Sequence, residues 1–168
     1  MAGMWRAIDT GLRPAAQNIA LSRALLEARE AEEIASTLRF LRFAPSALLA
    51  CRQSPAQEFD LAYCASANIT VQRRITGGDA IYCDEKQLGW ELYLHRRDVG
   101  DAGMPAIAKR ICHAAATAIS AFGVAARFRP QHDIEIDGRV ISRGGGAFDA
   151  AALLYQGILL IDNDAVCM

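Results

Sequence analysis

The chain has 168 residues, of which 52% are hydrophobic and 22% charged, and its formal net charge is -1. This composition predicts one globular domain with a buried core and excludes a disordered chain, because disorder requires fewer apolar residues and a larger net charge. The near-neutral charge also excludes a global basic field that holds nucleic acid through counterion release, so we expect no nucleic-acid partner.

The cysteines are five in number and scattered: Cys51, Cys64, Cys83, Cys112 and Cys167. No two of them form a CxxC pair, so the spacing predicts neither a zinc site nor a redox dithiol. Such cysteines are typical of small buried side chains in a reducing compartment.

The sequence contains no membrane or export signal that we recognise. Residues 1–13 include charged side chains and lack the long apolar run of a signal peptide. The apolar run at 158–161 is far too short to cross a bilayer. We therefore expect a cytoplasmic protein without a membrane partner.

Secondary structure in the first half alternates between helices and strands. Apolar residues near helical spacing predict a first helix over 18–31. Mixed apolar and basic residues predict a strand at 37–43, and a short apolar run predicts another at 47–51. A helix is predicted over 59–67 and a strand at 69–73, with a glycine-containing break after it.

The next segments predict two strands and the strongest helix of the chain. The strands fall at 80–82 and 88–94, on either side of a charged link. The alanine-rich stretch 106–122 predicts the helix, and Gly123 stands where a C-terminal cap is expected.

The C-terminal third is predicted to be mostly strand. Strands at 133–136 and 139–142 flank Asp137-Gly138, which is a strong hairpin signal. The triple glycine at 144–146 predicts a flexible turn before a last strand region at 151–162. Runs of strands with helices between some of them predict an α+β fold, with a mixed, mainly antiparallel sheet flanked by helices.

The segment most informative about function begins at Arg73 and reads RRITGGDAIYCD. A Gly-Gly bend lets the backbone approach a ligand that a Cβ atom would exclude. Its backbone N–H groups can bind a carboxylate or phosphate, and the two arginines can add forked, charge-assisted hydrogen bonds. An ordinary hairpin turn with a solvated arginine pair fits the same letters, so the local pattern leaves both interpretations open.

Several segments resemble those of lipoate–protein ligases and related octanoyltransferases. Residues 73–82 resemble the family's Arg-Arg-x-Ser/Thr-Gly-Gly-Gly-Ala-Val motif. Residues 132–139 resemble its Asn-Asp-Ile hairpin, which leads into Gly-Arg-Lys-Ile, and residues 153–162 resemble its Leu-Leu-His-His-Gly-Thr-Leu-Leu strand. The start of the first helix at 18–21 and a turn at 48–53 also agree, so the resemblance covers nearly the whole chain.

The resemblance implies a class II synthetase-like biotinyl/lipoyl ligase catalytic fold. Residues 1–168 are then one catalytic domain without the C-terminal portion that relatives usually carry. In such ligases ATP and lipoate give lipoyl-AMP, and a lysine of an acyl-carrier domain attacks the mixed anhydride. The implied cofactors are ATP and Mg²⁺, with lipoate or an octanoyl group as substrate. The implied partners are a lipoyl or acyl-carrier domain and a companion subunit that supplies the C-terminal part.

Carried over residue by residue, the resemblance places one set of residues at the substrate and nucleotide site. The set is Arg52, Arg73, Arg74, Thr76, Gly77, Gly78, Tyr82 and Asp133. Asp133 would help to hold the metal or the adenylate. Apolar side chains of neighbouring strands would bury the acyl chain, which stabilises binding by about 0.8 kcal/mol per buried methylene.

The departures from the family pattern fall at its chemistry. The family's lysine after Gly-Arg corresponds to Val140, which has no charge and cannot donate to a developing oxyanion. Three more positions differ: His132 replaces Asn, Asp79 replaces the third glycine, and Cys83 replaces His. Arg139 or Arg143 can replace the missing positive charge, although an arginine cannot act as a proton acceptor.

Three hypotheses about activity follow. The first is a lipoate–protein ligase-like acyltransferase that works through an acyl-adenylate, with Asp133 as its candidate catalytic residue. The second is a catalytically degenerate module of the same family that binds an acyl group or a partner. The third is an octanoyltransferase with Cys83 as nucleophile, activated by nearby arginines; the competing interpretation of Cys83 is a buried, inert thiol.

Overall fold

The computed structural model describes residues 4–162. Its strands are β1 (Trp5–Arg13), β2 (Ser36–Phe43), β3 (Ser46–Leu49), β4 (Thr70–Arg73), β5 (Ile81–Cys83), β6 (Gln87–His95), β7 (Ala126–Arg129), β8 (Asp133–Ile136), β9 (Arg139–Asp149) and β10 (Ala152–Leu160). Its helices are α1 (Ala15–Glu30), α2 (Pro55–Glu58), α3 (Leu61–Ser66), α4 (Arg96–Val99) and α5 (Met104–Ser120). Within these residues no helix has both the length and the apolar character needed to cross a membrane.

The strands form two sheets. The larger has seven strands in the order β1-β2-β6-β10-β9-β8-β7, and the smaller has three in the order β4-β3-β5. In the larger sheet β1 and β2 run parallel and every other neighbouring pair is antiparallel. The smaller sheet contains one parallel and one antiparallel pair. The predicted α+β fold, with a mixed and mainly antiparallel sheet flanked by helices, is confirmed.

Helix α5 covers one face of the larger sheet. Pro105 stands in its first turn, where the missing N–H group costs no hydrogen bond, and Gly123 takes a φ of 87° just beyond its end. The buried residues at this interface are Trp90, Ala108, Cys112, Ala116, Ile134 and Tyr155. Because small alanine and cysteine side chains line the helix, the aromatic rings of the sheet can pack closely against it.

A buried ion pair lies on the opposite face, beneath α1. Arg39 of β2 is 0% exposed, and its Nη1 donates to Glu91 Oε2 of β6 at 2.9 Å. Ser22 of α1 donates its hydroxyl to the other carboxylate oxygen at 2.8 Å, and the Tyr93 hydroxyl also donates to Glu91. Burial, with the adjacent carboxylate, raises the pKa of Tyr93, so the phenol remains a donor. Both carboxylate oxygens therefore have partners, as a buried charge requires.

The same guanidinium connects β1 and α1 to the sheet. Arg39 Nη2 donates to Asn18 Oδ1 at 2.6 Å, and Arg39 Nε donates to Thr10 Oγ1 at 3.0 Å. Asn18 in turn donates to the backbone oxygen of Arg42 at 2.9 Å. One side chain thus fixes the position of α1 relative to three neighbouring strands.

The triple glycine at 144–146 is not a turn, and the sequence prediction there is wrong. These residues lie inside β9, where Gly146 pairs with Tyr155 of β10. A Cβ atom on Gly144 would come within 3.1 Å of the Tyr155 ring, and one on Gly146 within 2.8 Å of both the ring and the Leu154 oxygen. Gly144 and Gly146 are therefore explained by this close packing rather than by backbone flexibility, whereas a Cβ atom on Gly145 would meet nothing within 4 Å.

We predict that Arg39→Met lowers the free energy of unfolding by about 3–5 kcal/mol, because it leaves the Glu91 carboxylate buried without a cation. Urea denaturation followed by circular dichroism measures the change. The double variant Arg39→Met, Glu91→Leu should regain part of the loss, since it removes both charges together. Equal stability of Arg39→Met and the unmodified chain would show that the pair is not a structural requirement.

A second prediction concerns Gly157, whose substitution by alanine would place a Cβ atom 2.4 Å from the Trp90 ring. We expect Gly157→Ala to cost about 1–3 kcal/mol of stability through overpacking. Gly145→Ala is the matched control, because a Cβ atom there meets nothing within 4 Å in the same sheet. Thermal unfolding of both variants checks the difference, and equal midpoints would contradict it.

Candidate functional site

A cavity of about 1080 Å³ opens between the larger sheet, α1 and the smaller sheet. Its apolar wall includes Ile19, Leu41, Phe43, Leu48, Ile81 and Ile158. Its polar wall includes residues of the loop between β4 and β5, of the turn before β8, and of β9 and β10. A cavity with one apolar and one polar region suits a ligand that has an apolar chain and a charged head group.

Arg74 organises the loop between β4 and β5. The side chain is buried; its Nη1 donates to the Leu48 oxygen at 3.1 Å, and its Nη2 donates to the oxygens of Gly77 and Asp79 at 3.0 and 2.6 Å. Gly78 has a φ of 101°, and a Cβ atom there would lie 3.1 Å from Arg74 Nη2. Desolvation lowers the pKa of Arg74, although an arginine remains charged at neutral pH. The bend therefore needs both the arginine beneath it and the glycine.

Six of the eight residues that the resemblance assigned to the site lie on the cavity wall: Arg74, Thr76, Gly77, Gly78, Tyr82 and Asp133. Thr76 Oγ1 accepts a hydrogen bond from Gln156 Nε2 at 3.0 Å, which joins the loop to β10. Asp133 Oδ1 lies 3.8 Å from Arg143 Nε on the neighbouring strand. The structure thus brings the glycine loop and the 132–139 hairpin to one cavity, as the resemblance implies.

Arg52 and Arg73 do not line the cavity, so their assignment to the substrate and nucleotide site stays a prediction without support from the cavity. Arg73 is exposed at the end of β4, whereas Arg74, the first residue after that strand, is buried. Arg73 Nη1 donates to the backbone oxygens of Ala50, Cys51 and Gln53 at 2.9, 3.3 and 2.7 Å. It therefore stabilises the turn after β3 rather than facing a ligand.

Val140, which the sequence resemblance matches to the family's lysine, lines the cavity. Arg143, three residues further along β9, lines the cavity too, whereas Arg139 is exposed and does not. Of the two arginines considered as replacements for the missing charge, the structure brings only Arg143 to the site.

Ser22 and Glu91 are cavity residues that the sequence patterns did not identify. Glu91 carries the buried ion pair to Arg39, so the wall contains a carboxylate that is already neutralised. The sequence does contain a signal for a buried charge pair, because a charged side chain stands within each of two mainly apolar strands. These side chains are Arg39 in LRFLRF and Glu91 in GWELY. Unpaired charges are excluded from such positions, which predicts a buried ion pair but does not tell which two residues form it.

Cys83 does not line the cavity and is 1% exposed. Desolvation raises the pKa of its thiol to about 12, and this effect is larger than the opposing one from Arg74. Cys112 is also buried, with a raised pKa, and its Sγ lies 3.2 Å from the Tyr155 hydroxyl. Among residues 4–162, no group of three His, Cys, Asp or Glu side chains is arranged to hold a metal ion.

A family model for the lipoyl protein ligase A/B catalytic domain matches residues 14–167 of the chain. The chain belongs to this family. The match covers both the glycine loop and the strands that bring Asp133 and Val140 to the cavity.

Two relatives support the assignment. The chain is 37% identical over 79 residues to the octanoyltransferase LipM of Symbiobacterium thermophilum, a match that covers 46% of this chain and 29% of the relative. It is 28% identical over 119 residues to the lipoate-protein ligase LplJ of Bacillus subtilis, which covers 71% of this chain and 35% of that protein. The matched part of the chain thus spans about a third of the length of either relative.

The fold is shared with solved lipoate protein ligases. A structure described as a bi-partite lipoate protein ligase with its E2 lipoyl domain, from Thermoplasma acidophilum, superposes with a TM-score of 0.81 at 24% identity. The superposition covers 95% of this chain and 62% of that one. It confirms the biotinyl/lipoyl ligase fold that the sequence resemblance implied.

A third prediction follows from the raised pKa of Cys83. Iodoacetamide alkylates thiolates, so at pH 8 it should modify the exposed Cys51 and leave Cys83 unmodified, because a thiol with a pKa of about 12 remains protonated there. Peptide mass spectrometry of the native protein reads both sites. Denatured protein is the control, in which both cysteines should react. Rapid labelling of Cys83 in the native protein would restore it as a candidate nucleophile.

Proposed function

We propose that the chain is a lipoate–protein ligase-like acyltransferase domain that attaches lipoate or a medium-chain acyl group to a lysine of an acyl-carrier domain through an acyl-adenylate. One observation carries the proposal: a single cavity has an apolar wall on one side and the Arg74-supported Gly-Gly bend with Asp133 on the other. Family membership, with a ligase and an octanoyltransferase as relatives, supports the same reaction class.

The apolar wall is suited to an acyl chain. Leu41 and Phe43 of β2, Leu48 of β3 and Ile158 of β10 face the cavity, and each belongs to or packs against one buried cluster. Each methylene transferred from water to this wall stabilises the complex by about 0.8 kcal/mol. A medium-length chain therefore gains several kcal/mol from the wall alone, before any contact to its head group.

The bend between β4 and β5 is suited to the charged head group. In the described part of the chain, the N–H groups of Gly77 and Gly78 make no hydrogen bond within the protein, so they can donate to a carboxylate or phosphate. Asp133 is the residue that would hold Mg²⁺, which proteins bind through one or two carboxylates together with substrate phosphates. ATP would supply the activation of the acyl carboxylate.

The partners form part of the proposal. The Thermoplasma acidophilum ligase is described as bi-partite and is named together with its E2 lipoyl domain, which supports a lipoyl-domain carrier and a companion subunit for this chain. Residues 1–168 would then be one catalytic domain acting in the cytoplasm.

Val140 supports a second candidate function, a module of the same family that binds an acyl group or a partner without transferring it. The family's lysine position lies on the cavity wall, and the valine there can neither donate a hydrogen bond nor carry a charge. This candidate keeps the acyl-binding cavity and loses the transfer step. Cys83 gives no support to the third candidate, a cysteine-dependent octanoyltransferase, because its thiol is buried and protonated.

The test is to incubate the protein with ATP, Mg²⁺, lipoate and a lipoyl domain, and to follow the intact mass of the lipoyl domain. We expect a mass increase of one lipoyl group. Val140→Lys should accelerate it by about a hundredfold, since a single oxyanion donor contributes about that much. Val140→Met, similar in length but uncharged, is the matched control and should give no acceleration.

The other outcomes separate the candidates. If lipoate or octanoate raises the melting temperature while the carrier mass never changes, the binding module is supported and the acyltransferase is rejected. If neither acid shifts the melting temperature and no transfer occurs with the folded protein, both candidates are rejected.

A further inference from the structure

Two arginines lie on the cavity wall, and their guanidinium groups differ in what they already bind. Arg74 donates to three backbone oxygens of the protein. Arg143 has a side chain that is 75% exposed, and within residues 4–162 its one ionic contact is from Nε to Asp133 at 3.8 Å. Its two terminal nitrogens remain available to a ligand. The chain's two lysines, Lys86 and Lys109, do not line the cavity.

A β-bulge sets the position of Arg143 relative to Val140. Ile134 of β8 pairs with Ser142 of β9, but the next residue, Glu135, pairs with Val140, so Ile141 has no partner opposite it. An extra residue of this kind shifts the alternation of side chains along the bulged strand. Without the bulge, residues three apart on one strand would point to opposite faces.

Because of the bulge, Val140 and Arg143 share a face of the sheet. Arg143 pairs with Asp133 and Val140 pairs with Glu135, and these two β8 residues are two positions apart. Cross-strand partners project to the same face, and so do residues two apart on a strand. The separation along the sheet is about 7 Å, at 3.4 Å per residue. The flexible side chain of Arg143 can therefore reach the same part of the cavity that a lysine side chain at position 140 would reach.

We propose that Arg143 supplies the positive charge that the family's lysine supplies from the position of Val140, and that it binds the anionic phosphate of the acyl-adenylate. The inference rests on the proposed function. The planar guanidinium can donate two parallel hydrogen bonds to a phosphate, which a lysine cannot do. Asp133 lies nearest to the Nε atom of Arg143, which leaves the two terminal nitrogens of Arg143 on the other side of the guanidinium group, where they can donate to a phosphate.

Arg143 acts on the transfer step through charge alone. The amine of the carrier lysine forms a bond to the acyl carbonyl carbon, and the bond from that carbon to the phosphate oxygen breaks. The adenylate leaves with the electron pair, and the amine loses its proton to water. Arginine remains protonated throughout, so Arg143 stabilises the charge on the departing phosphate without accepting the proton.

Isothermal titration with the sulfamoyl analogue of octanoyl-adenylate tests the proposal. We expect Arg143→Gln to weaken binding by about ten- to a hundredfold, the range for loss of a charge-assisted hydrogen bond. Arg143→Lys should retain part of the affinity. The double variant Arg143→Gln, Val140→Lys should recover most of it, because it returns the charge to the neighbouring position on the same face. Arg139→Gln, which removes an exposed charge of β9 outside the cavity, is the matched control and should bind as the unmodified protein does.

The remaining outcomes are distinguishable. If the unmodified protein binds the analogue and Arg143→Gln binds it equally well, the role of Arg143 is rejected while the proposed function stands. If Arg143→Gln weakens binding and Val140→Lys restores nothing, Arg143 does not replace the lysine and the proposal fails. If the unmodified protein does not bind the analogue, the proposed function fails, and the inference with it. Equal melting temperatures of all variants confirm that the comparison concerns folded protein.

Discussion

The cavity depends on a buried charge pair, of which Glu91 lies on the cavity wall. Arg39 and Glu91 stand on neighbouring strands of the larger sheet, and the arginine also binds α1 and β1 through Asn18 and Thr10. Buried ion pairs add little net stability, because desolvation cancels most of their attraction. Their geometry is nevertheless demanding, since every unused donor or acceptor is costly. The pair therefore acts mainly to fix where α1 lies, and α1 forms one wall of the cavity.

Arginine serves elsewhere in the chain as a structural side chain. Arg73 and Arg74 each bind three backbone oxygens, and those oxygens belong to β3 and to the loops next to the smaller sheet. A guanidinium can satisfy several carbonyls at once because its donors spread in a plane, which a lysine ammonium cannot match. The number of arginines in the sequence therefore overstates the positive charge available to a ligand. After Arg39, Arg73 and Arg74 are accounted for, Arg143 is the cavity arginine with unused donors in the described chain.

The sequence predicted correctly those elements that are determined by interactions between residues close together in the chain. The Asp137-Gly138 hairpin, the alanine-rich helix α5 and the glycine bend at Gly77-Gly78 all follow from side-chain type and backbone conformation over a few residues. The sequence-based prediction failed where the secondary structure depends on a partner far away in the chain. Strand β1 is an edge strand whose parallel partner, β2, lies beyond an intervening helix, and residues 144–146 are strand because Tyr155 packs against them.

The candidate site shows the same difference between features that neighbouring residues determine and features that distant residues determine. The resemblance to a family found the glycine loop and Asp133, because motifs preserve residues at fixed spacing in the chain. It assigned Arg73 to the site, although this side chain does not line the cavity and binds the turn after β3. It did not find Glu91, because the arginine that neutralises this carboxylate is 52 residues away in sequence. Which charges meet is a property of strand register, and register appears only after the sheet has formed.

The charges on the cavity wall are consistent with the division of labour that the proposed function implies between this chain and a carrier domain. Glu91 is paired with Arg39, and Asp133 lies 3.8 Å from Arg143, so each of these two carboxylates has a cationic partner. Burial raises the pKa of the Tyr155 hydroxyl on the cavity wall, which keeps it protonated, and the buried thiols of Cys83 and Cys112, whose pKa is also raised, do not line the cavity. A site with such a wall can hold and polarise an activated acyl group, but it has little with which to attack one. In the proposed reaction the nucleophile arrives with the carrier domain, and an unprotonated lysine amine meets that requirement.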